Sequence, residues 1–192
     1  MEYDRDDLFK GTCLHESAHL VIAHALGGDA SHVIATIPGY TVDNVSGWAS
    51  ASCENPKDDV VVLLAGTIGA TFGMGFDYSA KDPRPVKGIR RKPVSCSGNM
   101  EFTKSDEPPA VYTDEQSFIE AIQSGGREDR RRAWRACRKL CRTEEEAFEL
   151  YLGLEERAVV LVAENLERIK MLADVLGRKL VMSQTAITAL LG

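Results

Sequence analysis

The chain has 192 residues, 44% hydrophobic and 27% charged, with 23 Lys and Arg against 29 Asp and Glu and a formal net charge of −6. That length buries one good core but leaves no room for a nucleotide-driven motor module beside a separate catalytic domain. The acidic balance gives no electrostatic reason to expect a nucleic-acid partner, and the charged start Met1-Glu2-Tyr3-Asp4-Arg5-Asp6-Asp7 is unlike the basic-then-apolar opening of a signal peptide.

From Leu8 to Leu26, Leu14, Ala18, Val21, Ile22 and Ala25 recur at helical spacing, and Gly27-Gly28 closes the segment. The spacing predicts a buried helix that also carries polar residues. His32 to Ile37, a Pro38-Gly39 turn and Val45 to Ala51 predict a short β-ribbon or meander. Pro56 and Lys57-Asp58-Asp59 then precede a second buried helix, Val60 to Gly73, whose Ala, Gly and Thr content suits close packing against another helix. The uncharged stretch Val60 to Phe76 falls short of the roughly 20 residues that cross a bilayer, so no membrane span is expected.

Between Asp77 and Tyr112 lie five of the chain's seven prolines and a basic run of Arg84, Lys87, Arg90, Arg91 and Lys92, which together predict a long irregular insertion. Thr113 offers an N-cap for a helix that runs to Ile122 and stops at Gly125-Gly126. The rest of the chain, 127–192, is predicted to be helical: a strongly basic stretch Arg127 to Cys141, a long amphipathic helix Glu144 to Leu176, and a short capping helix Ser183 to Leu191. The whole reads as one domain over 1–192, mainly α with a small β-ribbon or sheet. Cys13, Cys53, Cys96, Cys137 and Cys141 are odd in number and irregularly spaced, which argues against a disulfide framework and for a reducing, cytoplasmic setting. Cys137 and Cys141 read as small buried hydrophobes rather than a metal pair.

The chemistry is concentrated in His15-Glu16-Ser17-Ala18-His19, an H-E-x-x-H motif inside the first helix. Histidines at i and i+4 stack on one helix face, close enough for both rings to bind one Zn²⁺ at about 2.0–2.1 Å. Glu16 is rotated by one helical step, which sets its carboxylate beside the open coordination position, where it can take a proton from a water whose pKa zinc lowers to around 7. The competing reading is an ordinary helix with two polar side chains and a salt-bridged Glu. His24 and His32 do not share the i, i+4 geometry and read as packing residues. A catalytic zinc needs a third protein ligand; Ile22 and Ala25 occupy the positions where a nearby histidine would stand, so the ligand must come from farther along the chain.

Leu14-His15-Glu16-Ser17-Ala18-His19-Leu20-Val21-Ile22-Ala23 resembles the "HEAGHAxxA" helix of the peptidase domain of FtsH-type proteases. The order that follows is similar too: His32 to Ile37, Pro38-Gly39 and Gly47-Trp48-Ala49-Ser50 resemble the family's strand, turn and strand, and Leu63-Leu64-Ala65-Gly66-Thr67-Ile68-Gly69-Ala70 resembles its "LAGRAAE" helix. The resemblance implies a mostly helical zinc endopeptidase domain in which His15 and His19 bind zinc, Glu16 is the base, and an Asp at a downstream helix start is the third ligand. Asp114, after Tyr112-Thr113, is favoured for that position. Asp82 is the alternative among prolines, and an alignment on Asn99 would put Met100, a poor zinc ligand, in the acid's place. Full-length members carry membrane helices and an ATPase module, so the resemblance implies a free-standing, divergent relative, with Ala18, Thr67 and Ala70 replacing the family's Gly, Arg and acid.

Two functions follow as expectations. The first is an ATP-independent zinc metallopeptidase acting on peptides or unfolded segments, with the substrate laid as an extended strand beside Val45 to Ala51. The second is a weak or inactive peptidase-like fold acting as a protein-binding module, with the 77–112 insertion and the basic Arg127 to Arg142 segment as its partner surface.

Overall fold

In the computed structural model, which describes residues 5–36, 46–78 and 126–192, the first element is helix α1 (Arg5–Ala25). Asp6 and Asp7 stand in its first turn, where carboxylates complement the helix dipole. The helix ends in a Schellman pattern: Gly27, at φ +74°, donates to the His24 carbonyl at 3.0 Å, and Gly28 donates to that of Ala23 at 2.8 Å. Only glycine adopts that backbone conformation without strain. The turn delivers the chain into β1 (Asp29–Thr36), which pairs antiparallel with β2 (Ser46–Ser52).

Helix α2 (Pro56–Gly73) begins at Asn55, whose side chain accepts from the Lys57 N–H at 3.0 Å, with Pro56 in the first turn where its missing donor costs nothing. Val60 to Thr71 are buried apart from the half-buried Leu63, so this helix is apolar all round and forms the centre of the molecule. It packs on α1 and on two later helices, α3 (Arg127–Leu140) and α4 (Glu144–Glu164). A capping box between Thr143 and Glu146 starts α4.

Three sequence expectations need correction. The single helix expected over Glu144 to Leu176 is two, α4 and α5 (Leu166–Lys179), broken at Asn165. The Asn165 side-chain amide donates to the Leu161 carbonyl at 2.9 Å, and its own carbonyl accepts from Ile169 at 3.0 Å to begin the next helix. The apolar period runs across this break because Leu161 and Leu172 both face the core, and periodicity alone does not register a turn between helices. Second, a third strand exists: Leu180, at φ +64°, turns the chain into β3 (Val181–Ser183), which pairs antiparallel with β1 and gives the sheet order β2-β1-β3. Third, the closing helix α6 (Gln184–Leu191) starts one residue after the expected Ser183. The 79–125 stretch, where most of the irregular insertion and the Thr113 helix were expected, lies outside the described residues, as does the Pro38-Gly39 turn.

The described residues are mainly helical with a small three-stranded antiparallel sheet, and they bury Leu14, Leu20, Ile22, Leu64, Ile68, Tyr151, Ile169, Leu172 and Leu176 in one continuous core. Each such side chain contributes about 1.5–3 kcal/mol relative to exposure. Helices α1 and α2 meet across Gly66, Gly69 and Gly73, and a side chain at Gly69 would fall on the methyl of Ala18. Replacing Gly69 with alanine is expected to push the two helices apart and cost about 1–3 kcal/mol. A lower thermal unfolding midpoint would show this; an unchanged midpoint would mean the helices are free to separate.

Candidate metal centre

Four elements converge on one face of α1. His15 and His19 point from adjacent turns, with their Nε2 atoms 3.0 Å apart. Oδ2 of Asp129, in the first turn of α3, lies 3.1 Å from His15 Nε2 and 3.4 Å from His19 Nε2. Bonds of about 2.0–2.1 Å at a tetrahedral angle hold ligand atoms about 3.3 Å apart, so this triangle has the edge lengths of a zinc site. Both histidines are buried, and no other group of three His, Cys, Asp or Glu among the described residues can hold a metal ion.

The orientation of His19 is fixed from outside the triangle. Its Nδ1 lies 2.7 Å from the Val62 carbonyl of α2. A carbonyl only accepts, so Nδ1 carries the proton, and in the neutral ring the lone pair is at Nε2, where a metal would need it. Space for the pair is made by Gly66: a Cβ there would sit 2.5 Å from His19 Nε2 and 2.7 Å from His15 Cε1. The donor set and this cradle fit a zinc ion with two imidazoles and one carboxylate, leaving a fourth position open.

Glu16 is buried beside the triangle, under β2. A Cβ on Gly47 would come within 2.6 Å of Glu16 Oε1, so the glycine lets an edge strand cross the carboxylate directly. Burial raises the Glu16 pKa and Asp129 adds to the rise, against the lowering pull of His15 and His19. For Asp129 burial acts in the same upward direction, but hydrogen bonds from His15 and His19 outweigh it and hold the carboxyl well below its usual range. Burial pulls the His19 pKa down, yet the hydrogen bond and charge of Asp129 overcome this and raise it. Asp129 and His19 thus favour each other's charged forms across the triangle, and a cation binding there takes the place of the proton on the ring.

Asp129 is itself held by a buried network one residue along. Arg130 Nη1 donates to the Tyr78 hydroxyl at 2.7 Å, that hydroxyl donates to Glu155 Oε1 at 2.6 Å, and Arg130 Nη2 lies 3.5 Å from the same oxygen. Glu155 belongs to α4, so the network ties the first turn of α3 to its neighbour. Gly126, just before that turn, is pressed against Thr67 of α2 with no space for a side chain.

Of the residues read from sequence, His15, Glu16 and His19 are brought together. Asp114, Asp82 and Met100 lie outside the described residues. His24 is half-buried and His32 exposed, neither in the cluster, while Cys137 is buried, Cys141 half-buried, and both are free thiols. Asp129 was missed. Its sequence signal is an acid in the first turn of a helix after Gly125-Gly126, masked by the surrounding arginines that give the segment its basic character. In comparisons with known proteins, no family and no curated relative matches the chain. The arrangement of His15, Glu16 and His19 with Asp129 is that of an HExxH zinc metallopeptidase.

Two outcomes test this geometry. Asp129→Ala should weaken zinc binding by at least about 100-fold in a chelator competition, more than loss of an outer-shell partner does; retained affinity there, with loss in Asp114→Ala, would move the ligand to Asp114. Glu155→Ala should cost about 3–5 kcal/mol in denaturant unfolding, since it removes a buried carboxylate that faces Arg130 and accepts from Tyr78.

Proposed function

We propose that the protein is a zinc-dependent metallopeptidase that hydrolyses peptide bonds in peptides or unfolded segments without ATP. The observation that carries this reading is the triangle of His15, His19 and Asp129 with Glu16 buried at its side. Zinc, when bound, supplies a Lewis acid that polarises a carbonyl and makes water acidic near neutral pH. We assign the third ligand position to Asp129.

The chain's own residues do the rest. Glu16 accepts a proton from the attacking water at its carboxylate and returns it to the leaving amine nitrogen. Burial raises its pKa above the ordinary carboxylate value, the direction that makes a carboxylate a stronger base. Val62, through its carbonyl, keeps the His19 ring in one tautomer during turnover. Among the described residues strand β2 forms one edge of the sheet and crosses Glu16 at Gly47, so a substrate added along it as an extended strand would carry its scissile bond over the carboxylate. Only a flexible segment can take that conformation, which supports unfolded polypeptide as the substrate class.

The sequence order also supports a likeness to the peptidase domain of FtsH-type proteases: an HExxH helix, a β-ribbon, a Leu-Ala-Gly helix, and an acid opening a later helix. The domain as a whole, 1–192, is then one peptidase-like unit. No helix among the described residues is long and apolar enough to cross a membrane, and Cys13, Cys53, Cys137 and Cys141 are free thiols.

Glu16→Gln separates this reading from that of a non-catalytic binding module. Turnover of an unfolded protein substrate should fall by about 10²–10⁴-fold, with one zinc retained by metal analysis. Zinc binding in the native chain without turnover of any unfolded substrate would instead favour the binding module.

A further inference from the structure

The charge of this chain is unevenly placed. Residues 127–142 hold eight of its 23 Lys and Arg, and the rest of the chain carries 15 against 27 Asp and Glu. In α3, Arg130, Ala133, Trp134 and Cys137 are buried, while Arg131, Arg132, Arg135, Arg138 and Lys139 are exposed on the opposite face. The exposed Arg142 extends this face beyond the helix end. Glu128 offsets part of the charge, at 3.3 Å from Arg135 and 3.6 Å from Arg131. Among the described residues no carboxylate forms an ion pair with Arg138, Lys139 or Arg142.

This cationic face begins at the metal centre. While Asp129 Oδ2 faces the histidines, its Oδ1 lies 3.6 Å from Arg132 Nη1. From there the 14 residues of α3 span about 21 Å at about 1.5 Å per residue, and an extended peptide at about 3.3 Å per residue covers that length with about six residues. We infer that the exposed arginine face of α3 recruits acid-rich polypeptide segments to the metal centre, so that the substrates are unfolded chains with Asp and Glu clustered within about six residues of the scissile bond.

The catalytic part of this inference rests on the peptidase reading; the docking part does not. A short acidic segment fits better than a nucleic acid, because a longer polyanion running past Arg142 would meet the exposed Glu144, Glu145 and Glu146.

The test uses the full zinc-loaded chain and two fluorogenic peptides that share one scissile core, flanked by six Asp and Glu or by six Ser and Gly. At low salt the acidic peptide should show a kcat/KM higher by on the order of tenfold or more, an advantage that fades as NaCl is raised. The triple variant Arg138→Glu, Lys139→Glu, Arg142→Glu should lose that advantage and cleave the neutral peptide as before. Binding is measured separately by fluorescence anisotropy with the zinc-loaded Glu16→Gln protein. Equal kcat/KM and equal binding for the two peptides overturn the inference and leave the peptidase reading intact. Selective binding of the acidic peptide, lost in the triple variant, with no cleavage of either, upholds the docking surface and removes the peptidase reading. Tighter binding of a single-stranded RNA oligomer or of anionic phospholipid vesicles than of the acidic peptide overturns the inference in favour of those ligands.

Discussion

Two imidazoles four residues apart on one helix can share an ion only if the neighbouring helix comes close without filling the space between them. Gly66 allows this: α2 passes against α1 with bare backbone where a side chain would strike both rings. Gly69 and Gly73 repeat the condition against Ala18 and Leu14, so the approach is maintained along the contact. The same closeness brings the Val62 carbonyl to His19 Nδ1 and sets its tautomer. Packing of two apolar helices and preparation of a polar site are therefore one event, because the atoms that exclude water from the core also orient the ligands.

The third member of the triangle depends on a second, weaker constraint. Asp129 opens a helix whose buried face includes a charged residue, Arg130, and that charge is matched by Glu155 and Tyr78. Buried ion pairs add little net stability over apolar packing, but they tolerate few alternative arrangements. Here the pair links α3 to α4 one residue from Asp129. Gly126 against Thr67 completes the positioning, since the chain enters α3 pressed on α2. The outer face of the same helix is free of these demands and carries the arginines, so one short element combines a metal ligand, a buried anchor and a charged surface.

Much of this was legible in the sequence because it is local. Helix α1 announces itself by apolar spacing and its glycine stop, α2 by Pro56 and an uncharged run, and the ribbon by two short apolar stretches. The Asn165 break was hidden because Leu161 and Leu172 keep the helical period on both sides of it. Strand β3 was hidden because three residues are too few for alternation to be recognised, and it exists only because β1 offers an edge.

By itself the sequence determined which helix would carry the candidate site and which of its residues would share a face, since i, i+4 spacing places His15 and His19 together in any α-helix and sets Glu16 beside them. Only the tertiary structure decided what completes the site. Asp129 stands 114 positions from His15, and no period in the chain links the two. Their meeting depends on where α3 docks, and that is settled by Gly126, Arg130 and Glu155 finding their places against α2 and α4, a long-range packing outcome that no local pattern encodes.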